Sequence, residues 1–300
     1  MKKTIIPLLA IMVLAGCTKD DGNSGNTPTA GDLVPISLST TSATTKAPVN
    51  TGDAFTAAIA GWESDGTPDY TATPTWYNTA EITASTSETA ITLNPARTYH
   101  ADNAVKTYMT AWHPAGEPTD GKVAFTNADG HVDAMTAALI SGSARDYQGK
   151  TLAFTHPTTQ IKFIVVADES LDAGTQIQSI TIKQAQLPNG FDLTAGTPAV
   201  TYAAAADLPV PDITPAEITA TGSSAGSPVM IKPFSGNTMT LDVVTSEASF
   251  TGITATIDDD TDFQPGKAYT ITLTFRQSDI VLKATVTPWD YTGEGSGVIE

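Results

Sequence analysis

The chain has 300 residues and one cysteine, with 32 acidic residues against 15 basic ones and a formal net charge of -17. So acidic a surface, with no basic patch beside an aromatic cluster, excludes nucleic acid and anionic lipid headgroups as partners, and a lone cysteine excludes an intrachain disulfide. Only 16% of residues are charged, while Thr, Ala, Gly and Pro abound; strands of secreted all-β proteins carry hydroxyl residues on their wet faces in this way.

At the N-terminus, Lys2 and Lys3 precede an apolar run from Ile5 to Leu14 broken only by Pro7, and small residues follow. This is an export signal over residues 1–16, too short and too early for a permanent membrane span. The run Leu14-Ala15-Gly16-Cys17 resembles the lipobox of bacterial lipoproteins at every position. The resemblance implies that the Cys17 thiolate takes up a diacylglyceryl group and becomes the first residue of the mature chain, held on a membrane by several acyl chains, since one alone binds only marginally. Residues 17–32 contain the Gly, Ser, Asn, Pro and Thr of a flexible tether. Within it, Lys19-Asp20-Asp21 resembles an acidic tag that sends lipoproteins to the outer face of the outer membrane, and reads equally as a solvated charge run.

Alternation begins at residues 33–38, where Val34, Ile36 and Leu38 face one way, the pattern of a first strand. Period-two runs follow at Val105, Thr107, Met109 and Ala111, at Leu152, Phe154 and His156, at Ile180 and Ile182, and at Met239, Leu241 and Val243. Residues 161–166 are more continuously apolar, as in a strand covered on both faces. Residues 269–275 alternate with Thr without a break, 276–279 turn the chain, and Ile280, Leu282, Ala284 and Val286 return as the second arm of a hairpin. Gly and Pro clusters at 114–121, 188–196 and 219–228 read as loops, and 132–139 is the best helix candidate. Many short strands between turn signals predict β-sandwiches. About 265 residues after signal and tether are enough for two of them. The polar connector at 141–150 is the expected junction, dividing an N-terminal sandwich (33–150) from a C-terminal one (151–300).

The succession of features along the mature chain is similar to the fimbrillin family, the pilin-like lipoproteins of Gram-negative gut and oral anaerobes. After the lipobox come Thr44-Thr45-Lys46-Ala47, Gly52-Asp53-Ala54-Phe55, and Ile59 leading to Trp62. Then follow Lys106-Thr107-Tyr108-Met109-Thr110-Ala111-Trp112-His113-Pro114, Asp133-Ala134-Met135-Thr136-Ala137, Leu152-Ala153-Phe154-Thr155-His156 and finally Val286-Thr287-Pro288-Trp289. The resemblance implies two transthyretin-like sandwiches, other fimbrial subunits as partners and assembly by donor-strand exchange. It further implies passage from an outer-membrane lipoprotein at the cell surface to a fimbrium that adheres to a host or bacterial receptor or glycan.

The strand at 33–38 lies just ahead of Lys46. A cut between Lys46 and Ala47 by a trypsin-like protease releases tether and strand together and bares a groove that a neighbouring chain can fill. Oral relatives tend to carry Arg there, so the protease must accept Lys; an ordinary loop lysine is the plain alternative. The stretch after Trp289 is Gly-rich with only Val298 and Ile299 as an apolar pair. Such a tail is a poor donor strand, which marks the subunit as an acceptor, at a tip or accessory position.

No constellation for catalysis emerges, and neither an enzyme, a cofactor nor a metal is expected. Gly222-Ser223-Ser224-Ala225-Gly226 matches a nucleophile elbow only in letters, since that motif needs a strand-to-helix turn. His100, His113, His131 and His156 lack the paired spacing of a zinc site. Asp258, Asp260 and Asp262 start like a calcium loop, but Phe263 stands where the turn glycine belongs and no Glu closes it. Trp62, Trp76, Tyr77 and Trp112 suit a sandwich core, or else a platform for sugar; the second option supports the alternative of a glycan-binding surface lipoprotein.

Overall fold

In the computed structural model, residues 33–42, 49, 52–257, 262–277 and 279–288 are described. Among them the chain is all-β, with no helix. The first stretch forms β1 (Leu38–Ser42), β2 (Ala54–Ser64), β3 (Trp76–Thr83), β4 (Thr89–Ile91), β5 (Lys106–His113), β6 (Lys122–Ala124), β7 (Met135–Gly142) and β8 (Lys150–Thr155). All but β6 join one seven-stranded sheet in the order β3-β2-β5-β7-β8-β1-β4. Alternate residues of every strand in it enter one apolar cluster: Phe55, Ala57 and Ile59 from β2, Trp76 and Ile82 from β3, Leu152 and Phe154 from β8. The sheet therefore wraps around its own core, with β3 brought next to β4.

The second stretch forms β9 (Thr159–Ala167), β10 (Gln176–Ala185), β11 (Pro188–Asp192), β12 (Ala199–Tyr202), β13 (Ala206–Pro209), β14 (Ala216–Glu217), β15 (Ser223–Ser224), β16 (Val229–Ile231), β17 (Thr238–Thr245), β18 (Ser249–Thr256), β19 (Lys267–Phe275) and β20 (Ile280–Pro288). One sheet runs β13-β10-β17-β18 and a second β15-β9-β19-β20, with β16 also on β9 and β14 on β10. Their inner faces share a core that includes Phe163, Ile180, Ile182, Leu241, Ile271 and Phe275. The hairpin of β19 and β20 is in register from Phe275 and Ile280 to Lys267 and Pro288.

A third sheet, β12-β11-β6, joins the two halves of the chain, because β6 comes from the first and β11 and β12 from the second. It lies over the outer face of the seven-stranded sheet, where Phe191 and Leu193 pack with Ala58, Ala60, Trp62 and Trp112. Close approach is possible because residue 190 is glycine: a Cβ there would meet the Val123 carbonyl oxygen at 2.3 Å.

Three sequence expectations change. Residues 132–139 hold no helix; Met135 onward is β7, an interior strand. Ala, Met and Leu favour helices intrinsically, but β5 and β8 on either side satisfy the backbone and bury Met135 and Ala137 completely, so tertiary pairing overrides propensity. The 188–196 run is only partly loop, since Pro188–Asp192 is β11. The polar connector at 141–150 turns the chain within one sheet, with Ser143 and Asp146 bridged. The run after it, β8, pairs with β1 and β7 of that same sheet, and the chain crosses to the next sheet between Thr155 and Thr159.

Candidate functional site

The segment from Val34 to Ser42 fills a groove. Its regular strand, β1, runs parallel to β8 with Leu38 opposite Lys150 and Ser42 opposite Phe154. On its other side it is antiparallel to β4, with Leu38 opposite Ile91 and Thr40 opposite Thr89. Upstream of β1 the segment still pairs: the Ile36 N–H donates to the Arg97 carbonyl at 2.8 Å, and the Tyr99 N–H donates to the Val34 carbonyl at 2.9 Å. Val34, Ile36 and Leu38 are 7%, 6% and 4% exposed and belong to the first core. The regular strand thus starts where the expected one ends, and the aliphatic residues lie mostly ahead of it.

The inward row does not stop at Leu38. Thr40 and Ser42 continue it and are equally buried, which requires their hydroxyls to be bonded. Thr40 Oγ1 donates to the Leu152 carbonyl at 2.9 Å. The Ser85 N–H donates to Ser42 Oγ at 2.8 Å, while the Ser42 N–H donates back to the Ser85 carbonyl at 2.8 Å. On the outer face the Ser39 hydroxyl donates to the Glu88 carboxylate and lies 2.9 Å from Thr151 Oγ1, which also donates to Glu88 at 2.9 Å. These two hydroxyls, Ser39 first, hold the Glu88 carboxyl below its ordinary range. One carboxylate thereby clips β1 to β8 across the sheet surface.

Thr40 and Ser42 escaped the sequence reading because the first strand shows there only through its aliphatic residues, which end at Leu38, and Glu88 because its partners lie far away in sequence. The available signal was period two itself, which runs unbroken from 34 to 42 once small hydroxyl residues are allowed inside.

Cys17, Lys46 and Ala47 lie outside the described residues, as do Asp258 and Asp260. Asp262 ties down a loop by accepting from the Gly236 N–H at 3.0 Å. Among the described residues no cluster of three His, Cys, Asp or Glu side chains could hold a metal. The Gly222–Gly226 stretch contains β15 on the edge of β9, and no helix follows it. Trp62, Trp76 and Trp112 are 3%, 5% and 0% exposed, so their indoles offer no face to a sugar. Trp62 and Trp112 instead donate Nε1–H to the carbonyls of Ala72 and Gly116, each at 3.1 Å, and Tyr77 leans on Trp112 with ring centres 6.4 Å apart.

The histidines divide by burial. His156 Nδ1 lies 2.8 Å from Asp133 Oδ1, and both side chains are 1% exposed. This pair joins the start of β7 to the residue that leaves β8. Nearby, His113 Nδ1 is 2.8 Å from the Thr56 carbonyl; a carbonyl only accepts, so the proton sits on Nδ1. Burial pushes the His113 imidazole below its ordinary range, the Thr56 bond and the Asp133 charge pull the other way, and the His156 charge lowers it further. His100 and His131 serve surface turns, where the Asp102 N–H donates to His100 Nδ1 and His131 Nδ1 sits 3.3 Å from Asp129.

Curled sheet, packed sandwich and strand-filled groove together make an all-β architecture with no catalytic constellation among the described residues. A family model described as fimbrillin-like matches residues 40–289, and the chain belongs to that family. It is accordingly a structural protein and not an enzyme. Among solved structures, the chain is similar to a candidate cell adhesion protein from Bacteroides uniformis, at 18% identity and a TM-score of 0.55 over 85% of this chain and 99% of that one. It is also similar to a fimbrial protein from Bacteroides vulgatus, at 14% identity and a TM-score of 0.51, covering 86% of this chain and 100% of that one. Identities so low speak to the fold alone. A search of curated proteins finds no match.

Proposed function

We propose that the protein is a fimbrial subunit, tethered to the outer membrane through lipidated Cys17 and then matured by removal of its N-terminal segment, so that a neighbouring subunit's strand takes the vacated place. The observation that carries this reading is the position of β1. It lies inside the sheet, between β8 and β4, yet it precedes every other strand among the described residues, and the connector to β2 contains Lys46. One cut there detaches an interior strand without severing any other part of the fold. Its departure bares the facing backbone groups of β8 and β4 together with the apolar floor that Val34, Ile36 and Leu38 cover. Each aliphatic side chain reburied by a donor restores about 1.5–3 kcal/mol, and the ladder hydrogen bonds return with it.

Adhesion to a receptor or glycan at the cell surface follows as the role of the assembled fimbrium, with this chain as an acceptor near a tip or accessory position. The decisive experiment is N-terminal sequencing of the protein recovered from cells. Cys17 is expected at the start of the membrane-bound form and Ala47 at the start of the assembled form. A cellular form that begins between residues 33 and 42 would refute the scheme, because the strand would then be divided and not removed.

A further inference from the structure

We infer that the groove is selective, accepting an extended segment of a different subunit with aliphatic side chains at three alternate positions followed by Ser or Thr at the next two. This rests on the strand-exchange reading above and adds the chemistry of the partner. The resident segment displays the rule: Val34, Ile36 and Leu38, then Thr40 and Ser42, all on the inner face.

The rule belongs to the walls of the groove. The Leu152 carbonyl and the Ser85 N–H that meet Thr40 and Ser42 remain in place when β1 leaves. An occupant with Val or Leu at those two positions takes the hydroxyl bond from the Leu152 carbonyl, which the backbone ladder still reaches, and leaves the half-buried Ser85 N–H without its partner, an arrangement that costs free energy. A larger side chain also overfills sites sized for two or three heavy atoms. At the other end the floor is apolar, formed with Ile91, Leu93 and Tyr99, and a hydroxyl there gains nothing.

The two-zone floor also fixes direction. An occupant must run parallel to β8, because reversing it places aliphatic side chains over the Leu152 carbonyl and Ser85. On the rim, Glu88 with Thr151 presents an acceptor to the position of Ser39, so a hydroxyl or an ammonium is favoured there and a carboxylate is repelled. A second copy offers no free donor in its N-terminal part, because its own 34–42 segment either occupies its own groove or has been removed with the rest of the N-terminus, and its residues 289–300 contain no three alternate aliphatic residues.

The test uses the full chain with a specific protease sequence replacing residues 44–47. The cut chain is mixed with fluorescent peptides spanning 33–43, and uptake is followed by anisotropy in competition with the unlabelled native peptide. The native peptide is expected to enter the groove. Peptides carrying Thr40→Val or Ser42→Val are expected to bind at least tenfold more weakly, which is about 1.4 kcal/mol, although Val is the better strand former; a Ser39→Asp peptide is expected to lose binding by a similar factor. Entry of the Thr40→Val and Ser42→Val peptides with less than tenfold loss overturns the selectivity while leaving strand exchange intact. Failure of the native peptide to enter overturns strand exchange itself.

Discussion

Replacing His156 by Ala should be among the most damaging single changes in the first sheet. The imidazole and the Asp133 carboxylate are 2.8 Å apart with side chains 1% exposed, and the second carboxylate oxygen, Oδ2, has no hydrogen-bond partner among the described residues. Truncating the histidine strands a carboxylate in the interior, a change that costs about 3–5 kcal/mol. For a unit of this size each kilocalorie moves the midpoint by about 2–4 °C, so the melting temperature should fall by roughly 6–20 °C.

The reverse truncation, Asp133→Ala, takes one hydrogen bond from the His156 ring and leaves no carboxylate behind, at about 1–3 kcal/mol. The asymmetry is the diagnostic, and the double variant should be no worse than His156→Ala alone, since it removes the stranded charge. Urea titration followed by tryptophan fluorescence reads this out, because Trp62, Trp76 and Trp112 all sit in strands of the affected sheet. Equal costs for the two single variants, or strict additivity in the double, would show that no buried charge pair holds this joint.

Other expectations follow from the same packing. Lowering the pH should weaken the fold through His113: its folded pKa lies below the ordinary 6.5, so the unfolded chain binds the proton first, and stability is lost as pH falls through 6.5 toward the depressed value. His113→Gln should flatten that part of the stability profile, and an unchanged slope would refute the assignment. Gly61→Ala should destabilise by about 1–3 kcal/mol, because a Cβ there would sit 2.2 Å from the ring of Trp76; thermal melts check it, and Gly61→Ala in a Trp76→Leu background should cost less. Gly190→Ala should part β11 from β6 and red-shift the emission of Trp62 and Trp112 as the outer face becomes wet. Cys17→Ala should move the protein from the membrane fraction to the soluble one, and continued retention on membranes would refute lipidation as the anchor.

The sandwich strands were legible because their faces differ in wetness. In 269–275 Thr alternates with Tyr, Ile, Leu and Phe, and the burial of β19 alternates in step. What misled the eye was local chemistry that long-range pairing overrules. Ala134, Met135 and Leu139 have high intrinsic helix propensity, and a run opened by Pro188 and Asn189 looks like punctuation until β6, far away in sequence, supplies its hydrogen bonds. The groove was half visible. Its aliphatic residues announced themselves at 34, 36 and 38, whereas its hydroxyl half depends on a carbonyl at Leu152 and an amide at Ser85, neighbours that no local window contains. Glu88 was invisible for the same reason, as an exposed carboxylate gains meaning only from Ser39 and Thr151 on either side.

The small sheet that stitches residues 122–124 to 188–202 has a bearing on how the molecule is made. A chain emerging N-terminus first can lay down the seven strands through Thr155 before the cover for their outer surface exists. Until Phe191 and Leu193 arrive, Trp62 and Trp112 lack part of their cover on a sheet otherwise complete. Contacts spanning so much sequence form late, and an uncovered apolar sheet is what aggregates in the interval. Biogenesis is therefore most vulnerable during the passage of about thirty residues between β8 and β11, when a holding factor that shields aromatic surface has most to protect.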